Sequence, residues 1–231
     1  NGARVILAED KPRFGGSLLT SEVNIGNQSG KEWADNIISE LKEMPNVIVK
    51  NRSQVFGYYD HNMLVMSEKL SDHLPKTKKY NPKQRLWYIR AKEVVISSGS
   101  IERPLVFGNN DTPGVMLSSA AKEYLKVYGV LVGKKPLIFT NNDSGYETAI
   151  EFKKNGVDPV VLDTRKELKS EIIDEAKKLN IQIKFSYVVV AAKGYKKVKS
   201  AEVAKISDDK KKLGALENIN CDCICVSDFW T

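Results

Sequence analysis

The sequence predicts an α/β fold in which parallel sheets alternate with antiparallel β-meanders, arranged as two nucleotide-binding-type lobes. Three observations carry this prediction. A β-branched apolar run at residues 3–9 ends in an acid, and apolar residues with helical spacing follow at 30–44. Strand and helix patterns alternate again at 136–179, which is typical of βαβ units. Short strand patterns separated by polar turns at 55–98 and 183–206 indicate the meanders.

The individual elements follow from the same patterns in chain order. We expect strands at residues 3–9, 47–50, 55–59, 63–68, 84–90, 93–97, 136–140, 160–163, 183–191, 198–206 and 221–227. We expect helices at residues 30–44, 118–128, 144–154 and 168–179. The lysine-rich segment 75–82 should form an exposed loop. This order predicts a first lobe with its meander at 1–111, an inserted, degenerate second lobe at 112–213 and a strand at 214–231 that returns to the first lobe.

The composition is that of a globular protein. The chain has 231 residues, of which 42% are hydrophobic, and it can bury a core. We expect a soluble, cytoplasmic protein, because no apolar run reaches the roughly 18 residues of a membrane span and no signal-peptide pattern opens the chain. The net charge of +7 comes from lysines scattered through turns at 76–79, 193–199 and 210–212. Such turns favour solvated hairpin tips over a nucleic-acid surface.

The cysteines and histidines form no catalytic or metal-binding pattern. Cys221, Cys223 and Cys225 alternate along an expected strand, so we expect three side chains on one face in a reducing compartment. No histidine or further cysteine completes a metal site, and the lack of a Cys-x-x-Cys pair argues against a disulfide reductase. His61 and His73 lie in turn-type sequence, which favours surface positions.

Glu9 and the glycine pair that follows it form the first candidate binding motif. In dinucleotide folds, an acid at the end of the second strand accepts hydrogen bonds from the ribose hydroxyls of adenosine. Glu9 fills that place, and Gly15 and Gly16 let the backbone approach a cofactor without an intervening Cβ. A strand followed by an ordinary glycine turn explains the same residues equally well.

Residues 94–104 form the second candidate motif. A buried strand that ends in small residues can pass directly beneath a bound pyrophosphate or flavin, which makes Ser98 and Gly99 contact candidates. Arg103 offers a charge for a phosphate or for a neighbouring subunit, and a solvated loop arginine is an equally good interpretation.

Residues 139–149 occupy the place of a second phosphate-binding glycine turn, but they contain one glycine instead of three. Asp143 would cap the helix that follows and would repel a pyrophosphate. The sequence therefore predicts a second lobe that has kept its fold and lost its ligand.

Several longer motifs resemble the alpha subunit of heterotetrameric sarcosine oxidase. They occur in the order of that family and cover nearly the whole chain. The segment at 101–107 is far more specific than a lone glycine pattern. The matching segments are residues 15–19, 85–92, 99–107, 110–117 and 140–143.

This resemblance implies a two-dinucleotide-binding-domain flavoprotein with a disulfide-reductase-like fold, truncated at its N-terminus. It also implies an enzyme of alpha, beta, gamma and delta subunits that oxidises sarcosine to glycine and forms hydrogen peroxide. In such an enzyme the beta subunit carries FAD and FMN lies at the alpha/beta boundary. The alpha subunit binds NAD in its first lobe and tetrahydrofolate in a later domain. The expected cofactor-binding residues are Glu9, Asp10, Gly15, Gly16, Ser17, Val55, Ser98 and Gly99.

The chain departs from the pattern of the family at both ends. The strand and glycine turn expected before residue 3 and the folate domain expected after residue 231 are missing, and Asp228 and Phe229 replace two glycines. We therefore expect weak or no NAD binding by this segment alone, with a dissociation constant above about 10 μM. We assign it no catalytic residue. The alternatives are a subunit of an opine oxidase or hydrogen cyanide synthase, and an assembly scaffold that has lost its cofactors.

Overall fold

The computed structural model describes residues 2–75, 81–209 and 211–231, which form two compact units. Unit 1 is Asn1–Ser98 and unit 2 is Gly99–Thr231. The lysines expected to be exposed at 76–79 lie outside the described residues, as does one lysine of the turn at 210–212.

Unit 1 combines a short parallel sheet, one long helix and an antiparallel meander. Its elements are β1 (Val5–Ala8), β2 (Asn24–Ile25), β3 (Gln28–Ser29), α1 (Gly30–Glu43), β4 (Val47–Lys50), β5 (Ser53–Tyr59), β6 (Met63–Lys69) and β7 (Gln84–Arg90). β1 and β4 pair in parallel, β2 and β3 form a hairpin, and β5, β6 and β7 form the meander. The helix and the strands expected up to residue 90 are confirmed.

Helix α1 begins at a complete capping box. Ser29 Oγ accepts a hydrogen bond from the backbone N–H of Glu32 at 3.3 Å, and Glu32 Oε2 accepts one from the backbone N–H of Ser29 at 3.0 Å. The pair satisfies two amides that would otherwise lack a partner at the helix start. The N-terminus of α1 therefore already carries a carboxylate, which disfavours a phosphate there.

The meander of unit 1 holds a charged cluster around Glu68, which is 7% exposed. Its carboxylate accepts hydrogen bonds from Lys50 Nζ and Trp87 Nε1, each at 2.8 Å, and Arg85 lies 3.5 Å away. Lys50 Nζ also lies 5.2 Å from the centre of the Trp87 ring, within reach of a cation–π interaction. Burial raises the pKa of Glu68, but the bonds from Lys50 and Trp87 outweigh it and the pKa is lowered on balance.

Unit 1 is expected to lose stability in acid as Glu68 takes up a proton. The folded-state pKa lies below the ordinary value of 4.5, so the stabilisation is complete above about pH 4.5. It is lost as the pH falls through the folded-state pKa. Urea unfolding followed by circular dichroism should show a smaller acid-induced loss for Glu68→Gln than for the wild type. The control Glu40→Gln, on the exposed side of α1, should keep the wild-type pH dependence. Indistinguishable profiles for all three proteins would refute the assignment.

Unit 2 is built around a five-stranded parallel sheet. Its elements are β8 (Val115–Leu117), α2 (Ser118–Tyr128), β9 (Pro136–Thr140), α3 (Ser144–Lys154), β10 (Val160–Asp163), α4 (Glu171–Lys178), β11 (Gln182–Phe185), β12 (Tyr187–Lys193), β13 (Ser200–Ile206), β14 (Leu213–Asn220) and β15 (Cys223–Ser227). The sheet order is β11-β10-β9-β15-β8, and β12, β13 and β14 form an antiparallel meander. The predicted alternation of strands and helices is confirmed.

The parallel sheet of unit 2 is covered on both faces. Successive residues of β9 point to opposite sides, as in any strand. Ile138 packs in a core with Phe152 of α3, whereas Leu137 and Phe139 pack in a second core with Val203 of the meander. Helices therefore cover one face and the meander covers the other, which explains why all five residues of β9 are buried.

The three cysteines do not share one face as expected. Cys223 and Cys225 belong to the helix-side core, with their sulfurs 3.6 Å apart, but Cys221 packs in the meander-side core. The reason is that β15 begins at Cys223, so its alternation does not extend back to Cys221. All three are free and buried, and burial raises the pKa of Cys221 to about 12. Such a neutral, enclosed thiol is a poor nucleophile.

The strand expected at 93–97 is absent from the described part of unit 1. Val95 is 87% exposed and Ile96 is 71% exposed, and no described strand pairs with them. An apolar run becomes a strand only where a neighbour supplies ladder hydrogen bonds. The sequence pattern shows the apolar run and not the neighbour, and the prediction of a paired strand is wrong here.

The segment 214–231, expected to return to the first lobe, belongs to unit 2. β15 lies between β9 and β8, and β14 pairs with β13. The apolar run at 221–227 predicted a buried strand. It did not predict which strands would pair with it, because the same apolar pattern suits any buried position in a parallel sheet. The units also divide after Ser98, not after residue 111 as expected. Strands β8 and β14 were not expected at all.

Candidate dinucleotide site

Glu9 follows directly after β1 and is fixed by the neighbouring strands. Its backbone N–H donates to the Lys50 carbonyl at 2.9 Å, and its carbonyl accepts from the Ser53 N–H at 2.8 Å. Side-chain Oε1 accepts a hydrogen bond from the Lys11 N–H at 3.1 Å. The carboxylate therefore lies at the carboxyl end of a parallel strand, where a ribose contact is made in dinucleotide folds.

The environment of Glu9 is negative and partly shielded from water. Burial raises its pKa, the hydrogen bond from Lys11 lowers it and the neighbouring Asp10 raises it, with an increase on balance. Asp10 itself is exposed. Two adjacent carboxylates suit the hydroxyls of a ribose and oppose a phosphate at the same point.

The glycine pair performs two different tasks. Gly15 and Gly16 have φ values of +122° and +50°, in the region that favours glycine. A Cβ on Gly15 would lie 3.0 Å from Leu19 Cδ2 and 3.3 Å from Ala34 Cβ, so Gly15 allows the turn to pack on α1. A Cβ on Gly16 would meet nothing within 4 Å, so its backbone is open to a ligand. Ser17 lies in the single 3₁₀ turn that follows.

The other candidates lie outside this loop. Val55 is in β5 opposite Met66, beside an irregularity in the ladder, and is 42% exposed. Ser98 ends unit 1 in an exposed segment, and Gly99 begins unit 2 with a φ of +72°. The structure thus brings five of the eight candidates into the loop between β1 and α1, and two more, Val55 and Ser98, are in the same unit.

A cavity of about 220 Å³ opens beside the loop and was not expected from the sequence. Arg13 and Asp35, which line it, form an ion pair at 3.2 Å. Asn51 Nδ2 donates to the Pro12 carbonyl at 2.6 Å and ties the loop to the chain after β4. The charged side chains of the lining are Arg13, Lys42 and Asp35, and Arg13 is already paired with Asp35.

The second turn, between β9 and α3, is closed by its own side chains. Asn142 Oδ1 accepts from the Ser144 N–H at 2.9 Å, and Ser144 Oγ lies 2.7 Å from Ser227 Oγ. The side-chain amides of Asn141 and Asn142 both donate to Asp228. Asp228 is 9% exposed and fills the place where a phosphate cradle requires open backbone.

Asp143 does not cap α3 as expected, because its backbone is helical and a capping side chain needs extended backbone. Its carboxylate accepts instead from Arg165 at 2.8 Å and from Ser170 Oγ at 2.9 Å. The same guanidinium binds the fully buried Asp163 at 2.9–3.1 Å, and Tyr146 OH donates to Asp163 at 2.8 Å. Two carboxylates therefore share one guanidinium, and this end of the sheet is negative.

Asp163 is the last residue of β10, a position that corresponds to that of Glu9 directly after β1. Burial would lower the pKa of Arg165, but Asp163 and Asp143 raise it on balance, so the guanidinium stays charged. Burial and Asp163 raise the pKa of Tyr146, which stays neutral. The acid that would meet a ribose in unit 2 is thus bound within the protein. Sequence reasoning missed Asp163 and Arg165, although an acid at the end of the run 160–163 was a visible signal.

The chain aligns with the alpha subunit of sarcosine oxidase from two bacteria. It is 43% identical over 165 residues to that of Rhizobium meliloti (strain 1021), covering 71% of this chain and 17% of that subunit. It is 32% identical over 231 residues to that of Corynebacterium sp. (strain P-1), covering 98% of this chain and 24% of that subunit. The predicted resemblance to this subunit is confirmed. The chain spans about a quarter or less of the sarcosine oxidase subunits that it matches. No protein-family model matches it.

Solved structures support the fold. Thioredoxin reductase from T. acidophilum matches with a TM-score of 0.68 at 14% identity, covering 98% of this chain and 77% of that chain. L-proline dehydrogenase from P. horikoshii matches with a TM-score of 0.60 at 18% identity, covering 97% of this chain and 37% of that chain. At these identities the likeness shows the fold alone. The two-dinucleotide-binding-domain, disulfide-reductase-like fold is confirmed.

His61 and His73 lie in exposed turns, as predicted, and His73 lies 3.4 Å from Asp72. In residues 2–75, 81–209 and 211–231, no group of three or more acidic, histidine or cysteine side chains is placed to hold a metal ion. Over the same residues, every helix is too short or too polar to cross a bilayer.

Proposed function

We propose that the chain is the dinucleotide-binding part of the alpha subunit of a sarcosine oxidase-type amine oxidoreductase. The observation that carries the proposal is the alignment of 98% of the chain with sarcosine oxidase alpha subunits. The enzyme would oxidise sarcosine to glycine with formation of hydrogen peroxide. It would act in the cytoplasm, in one-carbon metabolism.

NAD would bind in unit 1. Glu9 would accept hydrogen bonds from the ribose hydroxyls, and the open backbone at Gly16 would allow close approach of the cofactor. Asp10, Ser17 and Val55 would complete this side of the site, and Ser98 and Gly99 would border it. The neutral ribose fits the carboxylate pair, and the carboxylate at the start of α1 disfavours a pyrophosphate at that helix end.

Unit 2 would hold its fold without a dinucleotide. A hydrogen bond between Asn142 and Asp228 closes the turn. Asp163, the acid in the ribose position, already accepts hydrogen bonds from Arg165 and Tyr146. A pyrophosphate would meet carboxylates there and no open backbone. This unit would therefore serve as a rigid support for the assembled enzyme.

The amine chemistry would take place elsewhere in the assembly. We propose beta, gamma and delta subunits as partners, FAD in the beta subunit, FMN at the alpha/beta boundary and tetrahydrofolate in another domain of the alpha subunit. A lobe that positions a cofactor needs no acid, base or nucleophile of its own. We accordingly propose no catalytic residue among those described.

Substrate oxidation by the assembled enzyme tests this proposal. Purified oxidase should convert sarcosine to glycine with one hydrogen peroxide per turnover, measured by a peroxidase-coupled assay and by amino acid analysis. Turnover of an opine or of glycine in preference to sarcosine would assign the chain to an opine oxidase or a hydrogen cyanide synthase.

A cofactor-free scaffold is the second candidate function, and it is favoured by the closed turn at Asn142 and Asp228. Absorption spectra and nucleotide release from the purified assembly decide between the two. Bound flavin together with bound NAD supports the oxidase. An assembly that contains the alpha subunit but releases neither nucleotide supports the scaffold.

A further inference from the structure

A depression of about 310 Å³ on unit 2 is rich in lysine and plays no part in the function proposed above. It lies between the turn after β12, the chain before β9 and the junction of β14 with β15. Its lining consists of Lys135, Lys197, Val198, Lys199, Asn220, Cys221 and Asp222.

Backbone hydrogen bonds fix two of the three lysines in place. The Lys135 N–H donates to the carboxylate of Asp222 at 2.8 Å, and its carbonyl accepts from the Asp222 N–H at 3.2 Å. The Lys199 N–H donates to the Lys193 carbonyl at 2.8 Å, and its carbonyl accepts from the Cys221 N–H at 3.2 Å. The backbone at these two positions is therefore fixed, which lowers the entropic cost of gathering the lysines around a ligand.

The turn that carries Lys197 is tightly folded. Gly194 has a φ of +150°, and a Cβ there would lie 2.0 Å from the Lys197 carbonyl oxygen. Only glycine allows this close crossing of the chain. Lys197 and Lys199, on either side of Val198, both line the depression.

The electrostatics of the depression favour an anion. In the described part of the chain, the ammonium groups of Lys135, Lys197 and Lys199 have no ion-pair partner. Asp222 is the one carboxylate of the lining, and both its oxygens already accept backbone N–H groups, from Lys134 and Lys135. Cys221 adds no charge, since its thiol stays protonated. Three lysines that line one depression repel one another unless a counter-charge lies between them.

We propose that this depression binds a small phosphate-bearing polyanion of the pyrophosphate class. Lysine ammonium groups act as mobile point charges that bind phosphate oxygens from several directions. An anion with two or more charges would neutralise the three lysines together, and the 310 Å³ volume accommodates a compact ion of this kind. The amide of Asn220 would add a neutral donor at the rim.

Calorimetric titration of the full chain with inorganic pyrophosphate at about 0.15 M salt tests the proposal, since exposed charge attraction is largely screened there. The wild type should bind, and the triple variant Lys135→Gln/Lys197→Gln/Lys199→Gln should bind at least about 10-fold more weakly. The matched control is Lys166→Gln/Lys178→Gln/Lys212→Gln, three exposed lysines of unit 2 outside the lining. It loses the same charge and should keep the wild-type affinity. Equal weakening in both variants, or no binding by the wild type, would overturn the site.

Two further measurements keep the test independent of how the variants fold. Citrate carries a similar charge on carboxylates, and binding of citrate as tight as that of pyrophosphate would overturn the phosphate assignment. Acetylation of wild-type lysines, read by mass spectrometry, should slow at positions 135, 197 and 199 when pyrophosphate is present. Unchanged acetylation at these three positions under saturating pyrophosphate would also overturn the proposal.

Discussion

Replacement of Arg165 by alanine is expected to lower the free energy of unfolding of unit 2 by about 3–5 kcal/mol. Asp163 is fully buried, and Arg165 supplies the positive charge that compensates it through three hydrogen bonds at 2.9–3.1 Å. Removal of the guanidinium leaves a buried carboxylate with the hydroxyl of Tyr146 and the backbone amide of residue 165 as its partners. Urea unfolding followed by circular dichroism measures the loss.

Two companion variants show whether the loss comes from the buried charge. Lys166→Ala removes a neighbouring cation whose ion pair with Asp208 is on the surface, and it should cost less than about 1 kcal/mol. Asp163→Asn in the Arg165→Ala background removes the unpaired charge and should recover part of the lost stability. If Arg165→Ala costs no more than Lys166→Ala, the network does not stabilise unit 2.

Glu9→Ala is expected to weaken NAD binding to the assembled oxidase by at least about 100-fold, the equivalent of two lost hydrogen bonds to a charged acceptor at about 1.5 kcal/mol each. The alanine leaves the backbone bonds to Lys50 and Ser53 in place and removes the acceptor of the ribose hydroxyls. Because the pKa of Glu9 is raised, wild-type affinity should also decline in acid as the carboxylate is protonated. Fluorescence titration with NAD at several pH values measures both effects.

An acid elsewhere in unit 1 provides the control for Glu9. Glu40→Ala removes an exposed carboxylate of α1 and should leave the affinity and its pH dependence unchanged. Glu9→Gln keeps one acceptor oxygen and should fall between the wild type and Glu9→Ala. Identical NAD affinities for Glu9→Ala and the wild type would remove Glu9 from the site.

Periodicity within a segment predicted most of the secondary structure. Helices α2 and α3 and strands β9 and β10 begin and end at the residues expected, because their apolar spacing and flanking turn residues are local properties. Residues 93–97 show the limit of this reasoning. Their apolar run has the composition of a strand, but Ile96 remains 71% exposed without a ladder partner. Whether a run pairs depends on a second segment that its own composition does not identify.

The residues of the candidate site likewise divide into those found from local sequence patterns and those brought together by long-range contacts. Glu9, Gly15 and Gly16 could be found from the sequence, because an acid after a strand and a glycine pair are short local patterns. The bond between Arg165 and Asp143 joins residues 22 positions apart, and the bond between Asn141 and Asp228 joins residues 87 apart. Neither contact follows from spacing. The sequence therefore predicted a second turn without a ligand, but not the side chains that close it.

Hydrogen–deuterium exchange of the assembled oxidase with and without NAD locates the dinucleotide most directly. We expect NAD to slow exchange in the loop at residues 9–17 and to leave exchange in the turn at 141–145 unchanged. The side chains of that turn are already hydrogen-bonded to Asp228 and Arg165. Slower exchange at 141–145 with no change at 9–17 would place the cofactor in unit 2 and contradict the account.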